Sequence, residues 1–345
     1  METKMIEELQ THTSSVAGMR RRALRLIHAA VALGLAIALA PIAQAQTAEP
    51  TWTPTKPIKM ILPYPPGGGS DTVARSVVQG LGNRLGQPVV IENRGGANGS
   101  IGTEVVYNAA PDGYTLLMSS ADTYSMYPPL YPKVRFVSAE FVPITPSAKV
   151  NFVIMGRPDL PAKNLTELIA LAKKTKLTYG TWGNGSGAHI AMSLFQSVTG
   201  TEMIHVPFQG AAPAAQAAMA GQVDIAMMPM HLASSFKGKL TAFGVASDKR
   251  VQSVSDIPTL TEQGTPVLAD AWVGVLAPPK TPAPIAAALA KAFSDTMADP
   301  EVNAKLNNVG LVPFAGTREQ FATYLANDYA FWSKTIHAAG IKVEN

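Results

Sequence analysis

The chain has no cysteine, and this absence excludes several kinds of site before any motif is considered. A disulfide framework, a thiolate zinc site and a cysteine nucleophile are all impossible. Charge is also scarce, because Asp, Glu, Lys and Arg make up 15% of the 345 residues and the formal net charge is +4. Residues 1–45 hold five Lys or Arg and three Glu, a net of +2, which leaves +2 for the rest. That balance gives no electrostatic indication of nucleic acid binding.

The sequence also lacks the short motifs that mark several classes of enzyme. It contains no G-x-S-x-G elbow, no G-x-x-x-x-G-K-[ST] phosphate loop and no H-E-x-x-H zinc motif. The histidines that follow residue 45 are His189, His205, His231 and His337, and none stands in a zinc-ligand spacing. We therefore predict no catalytic residue, no metal and no cofactor.

One long apolar run is present, and it lies near the N-terminus. Residues 26–42 follow the basic segment Arg20–Arg25 and precede Ala43–Ala45, which has the A-x-A pattern of a cleavage site. This order is that of a secretory signal peptide. A membrane anchor is the alternative, but a spanning helix needs about 20 apolar residues and the run is shorter. We predict a signal peptide over residues 1–45, cleaved after Ala45, that sends the protein to the periplasm.

A glycine-rich loop ends the first strand pattern of the mature chain. The run Ile58–Leu62 is mostly apolar, and Gly67–Gly69 precede a helical pattern that starts near Asp71. This order predicts a strand, a tight loop and a helix N-terminus. Glycine lets the backbone approach a ligand closely, and the first N–H groups of a helix favour an anion. Ser70 or Asp71 is placed to cap this helix.

Strand and helix patterns alternate through the rest of the chain, and one arrangement recurs. Leu177–Gly180 predicts a strand, and a loop rich in Gly, Asn and Ser follows it before another helix. We predict an α/β fold with parallel-rich sheets flanked by helices. A shift in composition near residues 143–149 divides the mature chain into two lobes. Lobe I is discontinuous and comprises residues 46–147 and 270–345, and lobe II comprises residues 148–269.

Four helix starts are predicted from capping residues and from proline at the first helical position. The pairs are Asn164 with Glu167, Thr281 with Pro282, Asp299 with Pro300, and Thr317 with Gln320.

Four segments of the mature chain, taken in order, resemble one known family. They are Tyr64–Asp71, Glu92–Gly99, Pro111–Leu117 and Gly221–Asp224. Together they are similar to the solute-binding proteins of tripartite tricarboxylate transporters, also called Bug proteins, and the likeness covers residues 56–345. The resemblance implies a two-lobed periplasmic binding protein of type II, the Venus-flytrap kind. It also implies that backbone N–H groups, hydroxyls and water hold a small carboxylate.

The resemblance further implies a set of ligand-binding residues shared between the two lobes. They are Tyr64, Gly68, Gly69, Ser70, Asp71, Ser120, Asp122, Gly183, Asn184, Ser186, His189, Phe208, Gln209 and Gly210. Three of them depart from the family pattern. Tyr64 stands where related loops often carry Phe, Gln209 stands where the family often has Lys, and Asp122 adds an acidic group. Tyr64 and Phe208 are placed to sandwich an apolar or aromatic solute. Apart from the resemblance, Asp71 is better suited to capping the helix than to contacting an anion, because its carboxylate would repel an anion.

One alternative function remains, that of a secreted nucleotide-binding oxidoreductase. Gly67–Gly69 lies between a strand and a helix, and Glu92 ends the next strand, as in the dinucleotide-binding fingerprint. The G-x-G-x-x-G spacing is not met, because Thr72 stands at its last position. We predict a monomeric receptor without enzymatic activity. It would deliver a small mono-, di- or tricarboxylate, or an aromatic acid, to membrane permease subunits or a sensor.

Overall fold

The computed structural model of the protein describes residues 52–338 and 340–341. The predicted signal peptide, residues 1–45, lies outside the described residues. Within the described ranges, none of the helices combines the length and the apolar composition that crossing a bilayer requires.

The strands of the described chain are β1 (Ile58–Leu62), β2 (Val89–Asn93), β3 (Thr115–Ser120), β4 (Val142–Gly156), β5 (Thr178–Thr181), β6 (Ile204–Pro207), β7 (Ile225–Pro229), β8 (Thr241–Val245), β9 (Asp270–Ala277) and β10 (Leu311–Pro313). They form one hydrogen-bonded path in the order β2-β1-β3-β9-β4-β7-β5-β6, and β8 and β10 each pair with β4. Strands β1, β2 and β3 are parallel to one another, and so are β5, β6 and β7. The path therefore contains two groups of parallel strands, joined by antiparallel β4 and β9.

Helices follow most of the parallel strands, as the alternating pattern predicts. Their bounds are α1 (Gly69–Leu85), α2 (Ser100–Tyr107), α3 (Tyr127–Leu130), α4 (Leu165–Lys174), α5 (Gly187–Thr199), α6 (Ala211–Met219), α7 (Met230–Ala233), α8 (Ala283–Met297), α9 (Pro300–Asn308) and α10 (Arg318–Ala338). Helices α1, α2, α5, α6 and α7 begin one to seven residues beyond the carboxyl ends of β1, β2, β5, β6 and β7. Their starts are therefore placed by strand ends within the two parallel groups.

Strand β4 links the two parallel groups without a break over 15 residues. Its part up to Asn151 pairs with β9, and its part from Phe152 onward pairs with β7 and β8. The register with β9 shifts near Pro143 and Pro146, because proline has no N–H to give to a ladder. The composition shift at residues 143–149 thus falls inside a strand. The division into lobes I and II stays a prediction.

Three of the four predicted helix caps are confirmed. The side chains of Asn164, Asp299 and Thr317 accept backbone N–H groups of the first helical turn at 2.9, 2.9 and 3.2 Å. The prediction for Thr281 is wrong, because its hydroxyl donates to the carbonyl oxygen of Pro278 at 2.8 Å. This bond belongs to the preceding turn, so α8 begins without a side-chain cap.

Candidate ligand-binding site

The carboxyl ends of six parallel strands surround one cavity of about 200 Å³. The loops after β1, β2 and β3 line one side, those after β5, β6 and β7 line the other, and β4 and β9 contribute side chains between them. Ligands of open α/β sheets bind outside the carboxyl ends of their strands. One water molecule needs only about 10–15 Å³ by this measure, so the cavity has room for a small organic molecule.

The loop after β1 places the start of α1 in the cavity wall. This helix begins at Gly69, two residues before the predicted position, and Gly68 is its N-cap. Gly68, Gly69 and Ser70 all line the cavity. The first N–H groups of a helix have no intrahelical acceptors and carry a partial positive charge. This wall therefore presents hydrogen-bond donors that suit an anion.

Asp71 holds this loop in place from outside the cavity lining. Its carboxylate accepts the Gly67 N–H at 3.0 Å and the Asn93 amide at 3.3 Å, and it pairs with Arg75 at 2.8 Å. Burial opposes ionisation of Asp71, but these hydrogen bonds outweigh it and hold its pKa below the usual value. As the third residue of α1, its side chain reaches back toward the helix start, as in a capping box. Asp71 thus positions the donors around it.

Tyr64 and Ser120 join the ends of β1 and β3 in a polar cluster on the cavity wall. The Tyr64 hydroxyl is hydrogen-bonded to the Ser120 hydroxyl at 2.7 Å and to the Thr123 hydroxyl. Burial, with the nearby charge of Asp122, raises the pKa of Tyr64. The phenol therefore keeps its proton and can serve as a hydrogen-bond donor.

Asp122 reaches from the end of β3 to the start of α5, which belongs to the other strand group. One carboxylate oxygen accepts the Gly187 N–H at 3.2 Å, and the other accepts the Trp182 indole N–H at 2.7 Å. Burial raises the pKa of Asp122 to about 6. The second helix start was expected to receive the ligand. In this structure it already holds a carboxylate of the chain itself.

Four other residues predicted near that helix start do not belong to the cavity lining. They are Gly183, Asn184, Ser186 and His189. Ser186 caps α5, since its hydroxyl oxygen accepts the His189 N–H at 3.3 Å and its hydroxyl donates to the Gly183 carbonyl at 2.7 Å. The His189 ring accepts a backbone N–H from Gly185 at 3.1 Å, and burial lowers the pKa of His189 to about 4. These residues shape the loop that supports Trp182.

The loop after β6 contributes two of its three predicted residues to the cavity. Gln209 and Gly210 line it. Phe208 packs instead against the hydrophobic cluster that contains Val153 and Val223. The ring of Phe208 therefore lies outside the lining that Tyr64 belongs to.

Three polar side chains of the lining were not predicted from the sequence: Asn98, Trp182 and His231. Both ring nitrogens of His231 and the amide nitrogen of Asn98 are buried and have no hydrogen-bond partner among the described residues. His231 is the second residue after the buried strand β7, and a polar residue so close to a strand end was the feature that could have indicated it. His231 was not predicted as a site residue because it lies far in sequence from the first glycine-rich loop.

The charge of the cavity lining is unusual for a site that suits an anion. Within the described part of the chain, the lining contains neither Lys nor Arg, and Asp122 is its one carboxylate. Helix N–H groups, hydroxyls, amides and an imidazole are the groups that can donate hydrogen bonds to a bound anion there.

Comparisons with known proteins agree with this architecture. A family model described as the tripartite tricarboxylate transporter family receptor, TctC, matches residues 73–341. Protein BugT of Bordetella pertussis is 33% identical over 319 residues, which cover 90% of this chain and 97% of BugT. The structure of periplasmic binding protein BugD has a TM-score of 0.79 at 30% identity and covers 84% of this chain and 100% of its own.

A third similar protein has been solved with a ligand. MatC from Rhodopseudomonas palustris, with bound malate, has a TM-score of 0.77 at 30% identity and covers 82% of this chain and 99% of its own. These likenesses confirm the predicted α/β periplasmic binding protein fold. The chain therefore belongs to the tripartite tricarboxylate transporter receptor family, whose Bug members are periplasmic solute-binding proteins.

Proposed function

We propose that this protein captures a small organic acid in the periplasm and delivers it to the permease of a tripartite tricarboxylate transporter. The observation that carries the proposal is the start of α1 in the cavity wall, where Gly68, Gly69 and Ser70 present donors to an anion. The malate bound to the similar MatC supports a carboxylate ligand. The receptor changes no bond of its ligand, and it acts by binding and release alone.

The ligand carboxylate binds at the start of α1, and the rest of the acid extends toward Gln209 and Gly210. The Tyr64 and Ser120 hydroxyls add neutral donors beside the carboxylate. Asp122 disfavours a second carboxylate on the opposite side, because like charges repel strongly where water is scarce. The charged end of the acid therefore faces α1 rather than α5.

Both strand groups contact the same small ligand, and this contact provides the signal for the permease. A ligand shifts a conformational equilibrium only by as much as it binds one conformation more tightly. An acid held at once by the β1 loop and the β6 loop favours the conformation in which those loops are close. The permease or a sensor then recognises the surface of that conformation.

A thermal-shift panel tests the proposed function. At pH 7 we expect at least one of malate, succinate, citrate, benzoate and glutamate to stabilise the protein. A ligand present at 100 times its Kd adds about 2.7 kcal/mol to the free energy of unfolding. NAD serves as the comparison ligand. Stabilisation by NAD and by none of the acids would contradict the proposal and favour a nucleotide-binding function.

A matched pair of glycine substitutions tests where the carboxylate binds. A β-carbon on Gly69 would lie 3.3 Å from both His231 Cε1 and Val150 Cγ2, whereas one on Gly68 would have only Pro65 O, at 3.9 Å. We expect Gly69→Ala to weaken acid binding by about threefold to tenfold, because a methyl group enters the packed wall beside the donors. Gly68→Ala, whose added methyl group meets no wall atom closer than 3.9 Å, is the comparison variant and should weaken binding less than Gly69→Ala does. Isothermal titration calorimetry of both variants measures the difference, and equal Kd values would place the carboxylate elsewhere.

A further inference from the structure

We propose that His231 binds the ligand carboxylate at the start of α1 as an imidazolium cation, taking up one proton when the acid binds. This inference rests on the proposed function and adds to it a recognition residue and a coupled proton.

The position of His231 brings its ring to the donors of α1. His231 is the second residue of α7, directly after β7, and it lines the cavity with 8% of its surface exposed. A β-carbon built on Gly69 would lie 3.3 Å from the ring Cε1 and 3.7 Å from Nδ1. The Nδ1–Cε1 edge of the imidazole therefore lies against the first residue of α1. A carboxylate bound to the N–H groups of that turn is within reach of the ring.

The ring nitrogens of His231 lack the partners that buried polar atoms normally have. Neither Nδ1 nor Nε2 has a hydrogen-bond partner among the described residues. Buried polar groups in native proteins are almost always paired, and each exception needs an explanation. A ligand oxygen in the cavity supplies the missing partner. The buried amide nitrogen of Asn98 in the same lining is unpaired as well, and it is a second donor for the same ligand.

The lining also lacks the cation that a buried carboxylate requires. Lys and Arg are absent from the described lining, and a charge taken out of water is costly unless it is paired. His231 is the side chain of that lining that can become cationic. In the ligand-free protein, burial lowers the pKa of His231 to about 4, and a polar contact with the Gly67 backbone, which lies outside normal hydrogen-bond geometry, opposes this by a smaller amount. An anion bound beside the ring favours its charged form.

Other charged groups near α7 are already paired or lie across the cavity. Neither β7 nor α6 carries a titratable side chain, and neither does the turn at residues 234–236. Lys149 of β4 pairs with Asp270 at 3.0 Å, and Lys237 pairs with Asp256 at 3.0 Å. On α1, which the ring faces, Asp71 pairs with Arg75 at 2.8 Å. In the lining, Tyr64 keeps its proton, and the Asp122 carboxylate accepts the Gly187 N–H at the start of α5. Asp122 is therefore the other group whose titration the experiment must separate.

Proton uptake makes acid binding depend on pH in a defined way. With a pKa near 4 in the free protein, His231 carries its proton in only about one molecule in 1,000 at pH 7. The apparent affinity is reduced by that fraction. In Asp122→Asn, and after correction for the titration of the acid itself, the Kd should therefore rise about tenfold for each pH unit between pH 5.5 and 7.5. In the same variant, a neutral histidine donor would give a corrected Kd that does not change over this range.

Calorimetry in two buffers of different ionisation enthalpy counts the protons directly. The probe is whichever acid of the panel binds most tightly: malate, succinate, citrate, benzoate or glutamate. At pH 6.5 we expect an uptake of about one proton per acid bound by Asp122→Asn, which leaves His231 as the titrating side chain of the described lining. The unmodified protein should take up more than one proton, because a bound carboxylate also raises the pKa of Asp122. The double variant His231→Gln/Asp122→Asn should take up no proton, lose the pH dependence of the Kd and bind at least about tenfold more weakly than Asp122→Asn at pH 5.5.

His337→Gln, at an exposed position of α10, is the matched control and should behave as the unmodified protein. Circular dichroism establishes whether the double variant is folded. If it is not, the proton count of Asp122→Asn decides. Zero uptake by Asp122→Asn, or binding by the folded double variant that equals that of Asp122→Asn, overturns the inference and leaves the proposed function standing. Failure of every acid to bind overturns the proposed function itself.

Discussion

A Trp272→Ala substitution is expected to lower the free energy of unfolding by about 4–6 kcal/mol. Trp272 lies in β9 with none of its surface exposed, and its ring makes edge-to-face contacts with Tyr124 and Phe321 at 5.6 and 5.5 Å. Removing a buried Trp side chain leaves a cavity and costs about 3–5 kcal/mol. Urea unfolding followed by circular dichroism measures the loss.

A second contribution to that loss comes from the carboxylate of Asp328 in α10. The Trp272 indole donates to this carboxylate at 2.7 Å, and Ser125 also donates to it. Burial raises the pKa of Asp328, which shows that its charged form is already disfavoured. Loss of the indole leaves a buried acceptor with fewer donors, which costs about 1–3 kcal/mol.

Two further variants separate packing from hydrogen bonding. Trp272→Phe keeps a ring in the core but removes the donor, so it should lose about 1–3 kcal/mol. Phe331→Ala removes an aromatic ring that is 54% exposed, and it should lose less than about 1 kcal/mol. A loss below about 2 kcal/mol for Trp272→Ala would show that β9 repacks around the smaller side chain.

The burial of Trp272 also bears on the binding site. Successive side chains of a strand point to opposite faces of the sheet. Its neighbours Ala271 and Val273 accordingly line the cavity, while Trp272 itself packs in the core. The contacts of Trp272 with α10 therefore fix the strand that forms the middle of the cavity wall. We infer that the shape of the site depends on a side chain that never contacts the ligand.

The features that could be predicted from the sequence are those that depend on residues close together in the chain. The strand, glycine-rich loop and helix around Gly69 were predicted because turn and cap residues act within a few positions. The caps at Asn164, Asp299 and Thr317 were predicted for the same reason. The start of α1 was placed two residues late, because Asp71 supports the helix from its third position rather than from its N-cap.

Features that depend on distant residues were missed. Asp122 and Gly187 are 65 positions apart, and nothing near either residue indicates that the carboxylate occupies the start of α5. His231 is even farther in sequence from the loop it faces, and its packing against Gly69 depends on how two strand groups meet. Local patterns gave the type of each loop, whereas the partners across the cavity required the three-dimensional structure.

Asp122→Asn is expected to tighten the binding of an organic acid by about tenfold to 100-fold at pH 7.5. Two unit charges about 6 Å apart at an effective dielectric constant of 20 repel by about 2.8 kcal/mol, and each 1.4 kcal/mol changes the Kd by about tenfold. Asn cannot repel a carboxylate, and its amide oxygen can still accept the Trp182 indole N–H. The Gly187 N–H then becomes available to a ligand oxygen. Isothermal titration calorimetry with the tightest-binding acid of the panel measures the change.

The same variant should also change how stability depends on pH. Burial raises the pKa of Asp122 from 3.8 to about 6, so the folded protein binds more protons than the unfolded chain between these values. The contribution of the protonated Asp122 carboxyl to the free energy of unfolding is fully present below pH 3.8 and is lost as the pH rises through 6. The stability of Asp122→Asn relative to the unmodified protein should therefore increase over that window, by up to about 3 kcal/mol.

Asp295→Asn is a suitable control, because Asp295 lies on the exposed face of α8 and pairs only with Lys291 among the described residues. It should leave the Kd unchanged and alter stability by less than about 0.5 kcal/mol. Weaker acid binding by Asp122→Asn would contradict the expected repulsion. It would mean that Asp122 accepts a hydrogen bond from the ligand, and the bound acid would then carry an amine or another donor at its far end. The direction of this one change in Kd thus decides which group of the ligand faces α5.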